Sequence, residues 1–195
     1  MALIKTSDLS CPVIQKNRAE SILVKGKVSY WDARQKSMED QFGDYPFHPQ
    51  DSVIWNSFGH WSMHELLYYM LVRSGPANVY ITTWAISELA MRSLCKYMKE
   101  GLIRQLHLFC DYRNTSRKPA ELAYIEQNAT NIKLGKCHAK LTVIDSEILP
   151  VYVSGSANYT KNPRFESGSI YFNRELMDFQ RNTIIDLMTD GKNYR

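Results

Sequence analysis

Residues 137–166, CHAKLTVIDSEILPVYVSGSANYTKNPRFE, decide how the rest of the chain is read. Two short β-rich apolar runs lie inside this stretch, 140–145 (KLTVID) and 151–154 (VYVS), and residues 147–150 between them read as a hairpin turn. The first run is introduced by His138-x-Lys140 and ends on Asp145; the second leads into Gly155-Ser156-Ala157-Asn158. On extended backbone, positions i and i+2 share a face about 6.8 Å apart, so His138 and Lys140 can address one anionic group together. Asp145 lies an odd number of residues from His138 and falls on the opposite face, which makes it a support for backbone or a neighbouring basic group. Gly155 allows close backbone approach, and Ser156 and Asn158 are neutral donors suited to anionic oxygens. Such donors stabilise charge without a metal.

Outward from this stretch, helix and strand patterns alternate. Residues 60–74 (HWSMHELLYYMLVRS) show apolar side chains at helical spacing, closed by Gly75 and Pro76. Residues 77–84 (ANVYITTW) form a β-rich run, and Ser87 opens a capped helix that reaches Glu100 and Gly101. The pattern continues with a strand at 103–110, a helix at 119–127, a short strand at 132–135, a strand at 169–172 and a closing helix at 175–188. Continuous apolar strands alternating with helices imply an α/β fold, a mixed sheet flanked by helices. Residues 1–50 differ in texture: 21–31 (SILVKGKVSYW) read as a strand or hairpin and 40–50 as turn-rich connection, so they are expected to form an arm or subdomain ahead of a domain spanning 51–195.

With 195 residues, 44% of them apolar and 23% charged, the chain is long enough to close its own core and is neither disordered nor fibrous. The longest apolar stretch, 66–72, is far short of a bilayer span, so no transmembrane segment is expected. Lys5 and Asp8 interrupt the place where an export signal needs an apolar run, and Cys11, Cys95, Cys110 and Cys137 form no CxxC pair. The expected location is the cytoplasm. Net charge is only +4, but Arg113, Arg117, Lys118, Lys133, Lys136 and Lys140 fall in one block with two acidic residues, Glu121 and Glu126. A solvated face accounts for such a block, and so does an anionic partner.

The spacing HxK, four residues, D, followed by GSxN resembles the HKD motif of the phospholipase D superfamily over about residues 136–166. That resemblance implies a phospholipase D-like sandwich and a metal-independent phosphodiesterase working through a phosphohistidine, with no cofactor. It implies His138 as nucleophile, Lys140 and Asn158 on the non-bridging oxygens, Gly155 and Ser156 in the phosphate cradle, Asp145 in support, and Glu166 as the acceptor that fixes the imidazole. The chain holds one such motif, because His48, His60, His64 and His107 are followed two positions later by Gln50, Ser62, Leu66 and Phe109. Superfamily members need two motifs, so the resemblance implies a homodimer with a shared active site. The basic block and the similarity to small one-motif bacterial nucleases favour DNA or RNA as substrate. The alternatives are a phospholipid hydrolase or phosphatidyl transferase, and a nucleic-acid-binding module without turnover.

Three weaker signals compete. His60 and His64 stand four apart on the expected helix, as zinc ligands do, but Trp61 occupies the general-base position and no third ligand is evident. Trp55, Trp61, Tyr68, Tyr69 and Trp84 suit either a base-stacking platform or a core, and their spacing favours the core. Cys137 reads as a packing residue.

Overall fold

The computed structural model describes residues 28–33, 42–43, 46–117, 119–161, 163–190 and 192–193. In chain order the elements are β1 (Val28–Ala33), β2 (Ser52–Ser57), α1 (Met63–Ser74), β3 (Ala77–Thr83), α2 (Glu88–Lys99), β4 (Ile103–Asp111), α3 (Asn114–Arg117) and α4 (Pro119–Glu126). There follow β5 (Asn131–Gly135), β6 (Leu141–Asp145), β7 (Val151–Gly155), β8 (Glu166–Tyr171), α5 (Arg174–Asp190) and β9 (Lys192–Asn193). The strands form one mixed sheet in the order β1-β2-β8-β7-β6-β3-β4-β5-β9. The α/β expectation holds.

Alternation along the strands sorts the core into two layers. Val79 and Ile81 of β3 and Ile144 of β6 face a large cluster with Leu66, Met70, Leu94 and Ile125, so α1, α2 and α4 cover that face. Tyr80 and Val143, one position out of phase, pack with Tyr152 against Met177, Ile184 and Met188 of α5 on the other. Among the described residues no helix is long and apolar enough to cross a membrane.

Several boundaries follow local chemistry. The first helix starts at Met63 and not at His60, because Ser62 takes the N-cap: its backbone N–H donates to Glu65 Oε2 at 2.7 Å. Ser87 caps α2 by accepting from the Ala90 N–H at 3.2 Å, and Gly101 ends it at φ +75°. Of residues 1–50, the six of β1 pair with β2 in parallel, and Phe42 is buried against Trp61 and Tyr69. The expected strand at 21–31 lies outside the described residues up to 27.

Strand β2 is not anticipated by the sequence reading, and β8 begins three residues earlier than expected. Both depend on one long-range fit. Gly155 and Gly168 are register partners across β7 and β8, and the fully buried indole of Trp55 from β2 lies over them. A Cβ on Gly168 would stand 2.5 Å from Trp55 Cζ2 and collide with the Ser154 carbonyl. On Gly155 it would stand 2.7 Å from the Ser167 carbonyl. Strand packing therefore requires a residue without a side chain at Gly155. Gly168→Ala is expected to destabilise the protein by about 1–3 kcal/mol through overpacking, measured by urea unfolding. A variant as stable as the wild type would refute the fit.

Candidate active site

The sheet order places the site. Strands β3, β4 and β5 run parallel, but β6 returns antiparallel beside β3 and not beside β5. Residues 136–140 must therefore cross the carboxyl ends of β4 and β3, a span of three strand spacings or about 14 Å, which six residue steps cover easily. In α/β sheets this end of the parallel strands is where ligands are received. His138 and Lys140 lie on this crossing segment, just ahead of β6, so the strand expected to begin at Lys140 begins at Leu141.

Each strand that the segment crosses holds it. Asp111, at the end of β4 and buried, accepts from the Cys137 N–H at 3.1 Å and from Arg113 Nε at 2.7 Å and its backbone N–H at 3.1 Å. Burial works to raise the Asp111 pKa, but the Arg113 and Cys137 hydrogen bonds outweigh it and hold the carboxyl below its ordinary value. Thr82 of β3 donates to the Ala139 carbonyl at 3.3 Å and accepts from the Leu141 N–H at 3.2 Å. Burial also pushes the Cys137 thiol up, which keeps it protonated and suits a packing role.

The second half of the motif arrives on β7, whose Ser154 pairs with Leu141, and the Gly155 N–H reaches the Lys140 carbonyl at 3.3 Å. Asn158 is held by its oxygen: Oδ1 accepts from the Ala85 N–H at 3.2 Å and lies 3.3 Å from Thr83 Oγ1, whose single proton is shared with the Ala85 carbonyl at 2.8 Å. That assigns the amide orientation and leaves the NH₂ group to donate. The exposed His138 and the half-buried Lys140 are in contact, with Lys140 Nζ 2.7 Å from the His138 carbonyl and 3.3 Å from each ring nitrogen.

Within one chain Ser156 and Glu166 are hydrogen-bonded to each other. The Ser156 hydroxyl donates to Glu166 Oε2 and accepts from the Ser167 N–H at 3.1 Å, so its one proton is committed. Among the described residues Glu166 makes no hydrogen bond to His138; it lines a small cavity of about 10 Å³ together with Asn158, Trp55 and Ser62. Asp145 sits at the opposite end of β6, about 13 Å along the strand from Leu141. There it binds Arg174 at 2.9 Å and Arg181 at 2.7 Å, both from α5. It clamps a helix to the sheet, and it lies away from His138 because the two stand at opposite ends of β6.

The sequence reading passed over Asp111, Thr82 and Thr83. The polar ends of two adjacent apolar strands were the available signal. The zinc pairing loses its geometry, since His60 lies outside α1 and is exposed while His64 is buried in it. The aromatic set divides: Trp55, Trp61 and Tyr69 are core, whereas Tyr68 is exposed and Trp84 half-buried, its ring centroid 6.2 Å from that of His138. Arg113, Arg117, Lys136 and Lys140 of the basic block gather around the carboxyl ends of β4 and β5; Lys118 lies outside the described residues.

No protein-family model and no curated protein matches the sequence. Solved structures do. Nuc from Salmonella typhimurium, a phospholipase D family member, superposes with a TM-score of 0.57 at 16% identity, covering 74% of this chain and 99% of its own. NucT from Helicobacter pylori gives 0.54 at 16% identity, with 72% and 99% covered. TrmBL2, an archaeal chromatin protein whose structure shows a novel mode of DNA binding, gives 0.51 at 7% identity, with 72% of this chain and 54% of its own covered. The sheet that carries His138 across its carboxyl end is the fold of the phospholipase D family.

Proposed function

We propose that the protein is a phosphodiesterase that cleaves nucleic acid through a phosphohistidine on His138, without a metal, as a homodimer. The observation that carries this reading is the contact of His138 with Lys140 on the segment crossing the carboxyl end of a phospholipase D-like sheet, where Asn158 is held through its oxygen at the end of β3 and keeps its NH₂ to donate. The neutral His138 ring attacks phosphorus in line, forming a P–N bond as the bond to the leaving oxygen breaks. Lys140 and Asn158 neutralise the non-bridging oxygens as charge builds. The leaving oxygen takes its proton from a second imidazole, His138 of another copy of the chain, which then removes a proton from the water that hydrolyses the intermediate.

One chain supplies one such histidine, and this asks for the second copy. The exposed Phe58 and Phe165, paired at 5.1 Å beside Glu166, offer apolar surface next to the site for it. In that assembled site Glu166, fixed by Ser156, is proposed as the acceptor for an imidazole N–H. The basic side chains around the end of the sheet favour a polyanionic substrate.

Cleavage of DNA, RNA and bis-(p-nitrophenyl) phosphate should persist in excess EDTA. Activity lost in EDTA and restored by Mg²⁺ or Zn²⁺ would overturn the mechanism. Binding to strands with no turnover of any phosphodiester would leave a binding module instead.

A further inference from the structure

Trp84 follows β3 at the carboxyl end of the sheet and belongs to neither core cluster. Tyr112 stands beside it after β4, 50% exposed. The Arg113 guanidinium lies 5.3 Å from the Trp84 ring centroid and 5.9 Å from that of Tyr112, and Arg117 lies 5.6 Å from Trp84. Trp84 is only half-buried and stands among cations, whereas Trp55 and Trp61 are buried in the core. The mount is firm. Buried Asn114 donates to the Trp84 carbonyl at 3.0 Å and to the Asp111 carbonyl at 2.7 Å, and Asp111 in turn holds both Arg113 and the segment entering His138. The platform and the candidate nucleophile therefore share one scaffold.

We propose that Trp84 and Tyr112, flanked by Arg113 and Arg117, form a nucleobase-stacking subsite for the nucleotide next to the scissile phosphate, so that the substrate is a single strand. This deepens the nucleic-acid reading above and rests on it. A phosphate held by Lys140 and Asn158 lies at β6 and β7, and the neighbouring nucleotide on the β3–β4 side meets an aromatic face with two guanidinium groups for its own phosphate. Stacking needs an unpaired base, since in a duplex both faces are already covered by neighbours. Any base has such a face, so the subsite selects strandedness and not sequence.

The test is made on His138→Ala, which leaves bound strands intact, with affinities measured for a short oligothymidine, an oligouridine and an abasic strand carrying the same phosphates. The base-bearing strands are expected to bind about 5- to 150-fold more tightly than the abasic one. Adding Trp84→Ala should remove most of that difference, Trp84→Phe should keep much of it, and a duplex should gain nothing from Trp84. Tyr112→Ala, at an exposed side chain, reads the same difference where Trp84→Ala fails to fold. Equal affinity of base-bearing and abasic strands, or an equal loss for both in Trp84→Phe and Tyr112→Ala, would overturn the subsite and leave the phosphodiesterase reading standing. No binding to any strand at low salt would remove the nucleic-acid reading, and the subsite with it.

Discussion

His138→Ala is expected to lower phosphodiester turnover by well over ~10²-fold, because in a two-histidine centre it removes the nucleophile and the acid at once, each contributing at least that factor. The sharper measurement mixes this variant with wild type. Chains are exchanged by mild denaturation and refolding, with exchange verified by native mass spectrometry. If one composite centre draws His138 from both copies, mixed dimers lack half the machinery and only wild-type pairs work. Activity then follows the square of the wild-type fraction, and equal amounts leave about a quarter of it by random pairing. Independent centres would give a straight line and retain about half. A straight line despite proven exchange would mean that each chain supplies its own acid, and the reading of a borrowed imidazole would be wrong.

The parts of this site that are local in sequence were legible there; the parts that depend on strand order were not. His138, Lys140 and the Gly155–Asn158 turn could be singled out as a candidate phosphate site because such a site needs polar groups at close spacing. Parity along one straight strand was the ground for setting Asp145 apart from the anion, but His138 precedes β6, and Asp145 meets the α5 arginines at the far end of that strand. The neighbours of Ser156 and Gly155 were not legible for a common reason: Glu166, Ser167 and Trp55 come from β8 and β2. Strand β8 opens with Glu166-Ser167-Gly168-Ser169, which has no apolar residue to announce it. Its conformation is imposed by β2 and β7 on either side. Asp111 was equally silent, since nothing local says that the chain after β5 must pass over the end of β4.

That crossing makes Asp111 the strongest test of the scaffold. Asp111→Ala removes a buried carboxylate that accepts from Cys137 N, Arg113 N and Arg113 Nε, and leaves the Cys137 N–H buried without its acceptor. The Arg113 side chain is 49% exposed and recovers water, so the cost falls mainly on the orphaned amide and the lost charged acceptor, about 3 kcal/mol in all. Asp111→Asn keeps an acceptor but not the charge and should lie between. The effect has a pH signature. The folded-state pKa is depressed, so the stabilisation is fully present above the unfolded value of about 4 and is lost as pH falls through the folded one. Urea unfolding should therefore show a constant gap between wild type and Asp111→Ala near neutrality that narrows in acid. Turnover should fall in Asp111→Ala as well, because the freed segment carries His138, and Asp111→Asn should restore part of it. A variant within about 0.5 kcal/mol of wild type at neutral pH, the range of an unremarkable surface change, would mean that Thr82 and the Gly155 N–H hold the crossing segment without Asp111.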